Sequence, residues 1–243
     1  RAYVSLAGAG AVAVVDIATR RRVATVDAVF DPLALAMSPD ASTLVVASHR
    51  SGQSDHYPYG KRDVKTERDL ALIDLDELEL TGHVLEVAST IHAMRFDPEG
   101  ALWLTATRNE IEGGLNDEDV PSFQHELFSL KLESGLAQRE ASVDLSRQKT
   151  SSGSTATIHG FASCGDSWWV AAEGSDAAVE LATDLTEKRR VSVAGRPRAL
   201  TCGQDATWVV SSNRMEVTRI AGEEVDTYGL GLTDRRDQLL REG

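Results

Sequence analysis

Long apolar runs, metal-spaced cysteines and excess positive charge are what this chain lacks. No apolar run among its 243 residues approaches the ~18 needed to cross a membrane as a helix, so no membrane span is expected. It opens without a methionine or a signal-like stretch, as expected of a processed product or a piece of a longer protein. The two cysteines, Cys164 and Cys202, belong to no CxxC or CxxCH motif, which excludes a c-type haem attached within the chain. Lys and Arg number 25 against 38 Asp and Glu. The resulting net charge of −13 disfavours nucleic acid, whose phosphates would be repelled. The short basic run Arg20–Arg22 fits a solvated hairpin turn. No nucleophile elbow, HExxH pair or phosphate-binding glycine loop is found; the GAG at Gly8–Gly10 is followed by no helix.

What is present is repetition. Turns built on SPD, DPE, CGD and CGQD lead into TLVVAS from Thr43, ALWLTA from Ala101, SWWVAA from Ser167 and ATWVVS from Ala206. AYVSLA from Ala2 is a fifth copy without the preceding turn. Alternating apolar residues between Gly, Pro, Asp and Ser clusters predict strands. Self-similarity at this scale predicts stacked four-stranded units. Asp166 and Asp205 lie 39 positions apart, close to one unadorned blade, whereas Asp40–Glu99 and Glu99–Asp166 span 59 and 67 and so carry insertions. The expectation is an all-β β-propeller of four-stranded antiparallel blades: four blades plus a three-stranded partial blade, forming an incomplete ring. Blades should occupy residues 1–230, with 231–243 a polar tail or the lead-in to a following domain.

Strand alternation sorts the loops. The insertions His49–Asp69 and Arg108–His125 and the connection Leu145–Thr157 should emerge on one face, at which His92 and His159 also begin inner strands. Loops of this length are uncommon unless functional or disordered. His92, His159, His49, His56 and His125 are therefore candidate ligands for a divalent metal, imidazole being the usual side chain for that and for proton transfer. Hydrogen bonding to a neighbouring blade is the structural alternative for His92 and His159, and ordinary loop histidines for the other three. His83 should sit in a turn on the opposite face. The first insertion offers Tyr57, Tyr59, Lys61 and Arg62 to a partner. The second concentrates Asp117, Glu118 and Asp119, without the DxDxDG spacing of a calcium loop.

Cys164 and Cys202 end neighbouring inner strands in SCGD and TCGQ. An oxidising compartment would let them bridge if their Cα atoms lie within about 7 Å; two buried thiols are the favoured expectation. Trp103, Trp169 and Trp208 share a repeat position that predicts packing between blades, while Trp168 points to the other side of its strand.

The stretch AYVSLAGAGAVAVVDIATRRRVATV followed by DPLALAMSPDASTLVVAS, Ala2 to Ser48, resembles the YVTN family of β-propellers. The later repeats keep only the inner-strand and turn pattern. The terminal TDRRDQLLREG resembles the lead-in helix of di-haem cytochrome c peroxidase-like domains, to which such propellers are often joined. That resemblance implies a periplasmic or extracellular protein, a c-type haem in a C-terminal extension, and a haem domain or redox partner protein docked on the propeller. IHAMRFDPEGALWLTA also resembles the repeats of streptogramin lyase-type propellers. That likeness implies an enzyme with His92, His159 and Glu110 in acid–base or metal-linked roles. The remaining reading is a purely protein-binding module using the acidic loop Asp117–Asp119.

Overall fold

The computed structural model describes residues 1–29, 31–48, 68–85, 87–88, 90–110, 122–133, 136–145 and 157–230. Among these residues every regular element is a β-strand, apart from single 3₁₀ turns at Ala7–Ala9 and Glu173–Ser175. No helix among them is long and apolar enough to cross a membrane. The expected loop residues Tyr57, Tyr59, Lys61, Arg62, Asp117, Glu118 and Asp119, together with His49, His56 and the tail 231–243, lie outside the described residues.

The chain divides into two compact units, Arg1–Ser142 and Val143–Gly243. The first holds a three-stranded sheet of β1 (Ala2–Leu6), β2 (Ala11–Asp16) and β3 (Arg21–Asp27). Two four-stranded sheets follow. One has β4 (Pro32–Met37), β5 (Thr43–Ser48), β6 (Arg68–Asp74) and β7 (Glu79–Leu85). The other has β8 (Thr90–Phe96), β9 (Leu102–Glu110), β10 (Ser122–Glu133) and β11 (Leu136–Asp144). The second unit holds β12 (Ile158–Cys164), β13 (Ser167–Ala172), β14 (Ala177–Ala182) and β15 (Glu187–Ser192). Its last sheet is β16 (Pro197–Cys202), β17 (Thr207–Ser211), β18 (Glu216–Ala221) and β19 (Glu224–Gly229). In each sheet the strands pair antiparallel in chain order, which is the meander of a β-propeller blade. β1 packs beside β4 as β5 does beside β8, so the three-stranded sheet begins with a second-strand equivalent.

Burial is deepest in the second strand of a blade and least in the outermost. β13, SWWVAA, is buried throughout, whereas the outer strand β19, EVDTYG, is exposed throughout. Charges on an outer strand discourage edge-to-edge pairing with other chains. Alternation along β5 feeds two cores at once. Val45 and Ala47 meet Ile91, Leu102, Leu104 and Phe128 of the following blade. Leu44 and Val46 meet Val12, Val14 and Val26 of the preceding one. In the second unit Trp169 joins Val209 and Ile220 across the blade boundary, as its repeat position predicts. Trp168 faces the other way, against Phe161 at 5.9 Å between ring centroids.

The turns follow their residue chemistry. Asp40 accepts hydrogen bonds from the Ser38 and Ser42 hydroxyls at 2.6 and 2.9 Å. In the DPE turn Asp97 accepts from the Ala101 N–H and from the Trp103 indole, each at 2.8 Å. The polar cluster thus closes the hairpin and seats the first large side chain of the next strand.

Two expectations are corrected. Cys164 and Cys202 are joined as a disulfide, with Cα atoms 5.6 Å apart, and both are half-buried, not buried thiols. β12 and β16 run side by side in the same direction, so equivalent ends face each other at bridging distance. His83 is not in a turn but within β7, opposite Ala71, because β7 starts at Glu79, ahead of the strand expected over Gly82–Val87.

Candidate functional site

One backbone irregularity recurs at the start of every described inner strand. The pairing register shifts between Pro32 and Ala34, Ile91 and Ala93, Ile158 and Phe161, and Pro197 and Ala199. A bulge of this kind leaves one residue out of the ladder and re-aims its side chain. The residues so placed are Leu33, His92 and Arg198, and in β12 His159 together with Gly160. Leu33 is 47 % exposed and the Arg198 side chain 53 %, while His92 and His159 are half-buried. The IHA and IHG motifs therefore mark real structural positions, shared with PLA and PRA.

In the first unit His92 Nε2 lies 2.9 Å from Thr107 Oγ1, which lies 3.0 Å from His125 Nδ1. Thr107 pairs directly with His125 across β9 and β10, and its hydroxyl is the meeting point of both rings. A hydroxyl carries one proton, so at least one of the rings must present an N–H to Thr107. His125 is only 4 % exposed. It was expected to close a loop; instead β10 starts three residues earlier, at Ser122, and carries it into the sheet. Glu110 ends β9.

In the second unit His159 Nε2 forms an ion-pair contact with Glu173 Oε2, the other oxygen of which faces Arg198 at 3.2 Å and Arg196 at 3.9 Å. The Glu173 side chain is only 10 % exposed. Its backbone N–H donates to the Thr157 carbonyl at 2.7 Å, fixing the 3₁₀ turn against the start of β12. Gly160 lets the strands approach: a Cβ there would stand 2.7 Å from the Arg198 carbonyl oxygen. Glu173 and the arginines were not expected from sequence. Their signal was available in part, since Arg198 occupies the repeat position of His92 and His159.

The structure thus brings His92 to His125 within one unit, and His159 to Glu173, Arg196 and Arg198 within the other. Among the described residues no group of three or more His, Cys, Asp or Glu could hold a metal ion. Each cluster has instead the chemistry of hydrogen bonding, charge pairing and proton exchange.

No protein-family model matches the chain, and no curated protein matches it. Solved structures do. Hydrazine synthase of Kuenenia stuttgartiensis is similar at a TM-score of 0.70 and 15% identity, over 91% of this chain and 68% of that one. A periplasmic gluconolactonase of Pseudomonas aeruginosa is similar at 0.60 and 16%, over 91% of this chain and 64% of the other. A protein of unknown function from Bacteroides caccae is similar at 0.60 and 9%, over 94% and 72%. At these identities the likeness is one of fold, and it agrees with the propeller blades described above.

Proposed function

We propose that the chain is a docking module: a propeller whose inner-strand ends receive a partner domain, in a periplasmic electron-transfer protein of the cytochrome c type. The observation that carries the docking part is the recurring bulge. Each described inner strand has a register shift near its start, which holds Leu33, His92, His159 or Arg198, so the scaffold recurs while the chemistry it presents varies. A surface that discriminates between partners uses such variation in presented chemistry. Support for the compartment comes from the disulfide, which persists where the surroundings are oxidising. The likeness to a protein described as periplasmic points the same way. The haem setting rests on the resemblance of TDRRDQLLREG to a di-haem peroxidase lead-in. Its test is a reduced-minus-oxidised absorbance spectrum of the full-length protein purified from cells. A c-type haem band supports the electron-transfer setting, and a featureless spectrum overturns it.

A second reading is favoured by the His159–Glu173 pair. A carboxylate bonded to an imidazole is an arrangement that general-base catalysis uses. In that reading the propeller is an enzyme of the lyase type and His159 removes a proton from substrate. Turnover abolished in a folded His159→Ala variant supports it; unchanged turnover removes His159 from the chemistry.

A further inference from the structure

The geometry points to an arginine rim on the second unit, formed by Arg196, Arg198 and Arg214, that binds the carboxylates of an acidic protein segment. The inference rests on the docking reading and names the chemistry of the partner at this end of the unit.

Each of the three arginines is placed by a different backbone device. Arg198 occupies the bulge at the start of β16. Arg196 has φ of +60° directly after Gly195 at +87°, so two successive residues take the left-handed conformation. That costs a non-glycine residue of order 1 kcal/mol or more. The conformation is held by the Asp176 carboxylate on the Arg196 N–H at 2.9 Å and by the Ser212 N–H on its carbonyl at 3.1 Å. Arg214 is seated by the absence of a side chain opposite it: a Cβ on Gly195 would stand 2.8 Å from its Cγ.

All three arginines are exposed, and Arg196 and Arg198 are 59 % and 53 % so. The acids at this end are placed differently. Glu173 is recessed, Glu216 is half-buried, and Asp176 is exposed but engaged with the Arg196 backbone. Glu173 Oε1 faces both Arg196 and Arg198, so one recessed carboxylate holds two guanidinium groups and leaves their outer N–H donors available. The opposite strand ends of the same unit carry Asp166, Asp184, Asp205 and Glu223 in their turns and Glu224 at the start of β19. There Lys188 and Arg219 pair with Asp166, Asp205 and Glu224, whereas at the rim Arg196 and Arg198 share the one recessed carboxylate of Glu173, in a chain of net charge −13. Planar guanidinium forks match carboxylates bidentately, and such a field steers association with acidic partners.

The test is fluorescence anisotropy of a labelled deca-glutamate peptide titrated with the full 243-residue chain at low and physiological salt. The expected result is saturable binding that weakens as salt rises. The joint variant Arg196→Gln, Arg198→Gln, Arg214→Gln should bind at least tenfold more weakly while its circular dichroism is unchanged. If the joint variant fails to fold, Arg214→Gln alone reads the same rim and should weaken binding about threefold. No binding by the parent chain overturns the inference, as does equal binding by a folded variant. Tighter binding of inorganic polyphosphate at matched charge also overturns it, by making phosphate the preferred group. A featureless haem spectrum would remove the redox setting without touching these outcomes, so the two failures are distinguishable.

Discussion

Gly160 and Arg198 stand back to back where two blades meet, the space for a Gly160 side chain already occupied by the Arg198 carbonyl oxygen, 2.7 Å from where a Cβ would be. The next atoms in line are also backbone, Ala199 Cα at 3.0 Å and Leu200 N at 3.4 Å. Backbone cannot swing aside as a flexible side chain can. Gly160→Ala should therefore force β12 and β16 apart and destabilise the protein by about 1–3 kcal/mol. Thermal or urea denaturation checks this; a variant as stable as the parent would show that the strands separate at no cost.

The Cys164–Cys202 bridge closes a loop of sequence separation 38 between adjacent inner strands. Constraining the unfolded chain over such a loop contributes about 2–4 kcal/mol. Reduction, or a Cys164→Ala/Cys202→Ala pair, should lower the melting temperature by several degrees. Thiol alkylation of the unreduced protein followed by mass spectrometry should label neither cysteine. Labelling of both would mean that the bond does not form.

Thr107 joins His92 to His125 through one hydroxyl. Thr107→Val keeps the shape of the side chain and removes that shared group from a buried polar cluster. A loss of about 1–3 kcal/mol is expected, because each buried polar atom deprived of its partner loses its compensation for desolvation. Nitrogen-15 shifts of the two rings should change together. Movement of one ring alone would contradict the shared hydroxyl.

Three exposed turn carboxylates have pKa values held below the usual range. Asp40 is lowered chiefly by the Ser38 hydroxyl, Asp16 by the Thr19 N–H, and Asp184 by the Thr186 hydroxyl. A folded-state pKa below the unfolded one contributes stability that is present above the unfolded carboxylate's pKa, about 3.9, and is lost as pH falls through the lower folded value. The parent should therefore exceed Asp40→Asn in stability at neutral pH, and the gap should narrow below about pH 4. Paired urea denaturation curves at pH 7 and pH 3 measure it; a gap that widens at pH 3 would reverse the sign.

Strand positions were readable because each blade repeats the same alternation. TLVVAS, ALWLTA and SWWVAA reveal buried second strands by their lack of charged residues, and the turn motifs fix where each begins. His125 shows where pattern failed. The residues before it, VPSFQH, combine a proline and a serine with apolar residues, which suits a loop as well as a strand. Only pairing with Leu102–Glu110 settles it, and pairing is a tertiary effect. Glu173 was hidden for a related reason. Nothing local to AAEGSD says that its carboxylate will meet His159, 14 positions earlier, and Arg198 from the next blade. The cysteines were legible as neighbours but not as a bond, since their distance depends on how closely two inner strands approach, and Gly160 sets that approach.

The bulge at the start of each inner strand separates two things that most surfaces entangle. Its residue lies outside the hydrogen-bonded ladder, so an exchange at exposed Leu33 leaves the pairing of the strand intact, whereas His92 and His159 are also tied in by their contacts with Thr107 and Glu173. The apolar faces that hold blades together stand one step along the chain, at Pro32, Ile91, Ile158 and Pro197, all buried. At Leu33 a chain can thus change the side chain it presents by a single exchange, without passing through an unfolded ancestor.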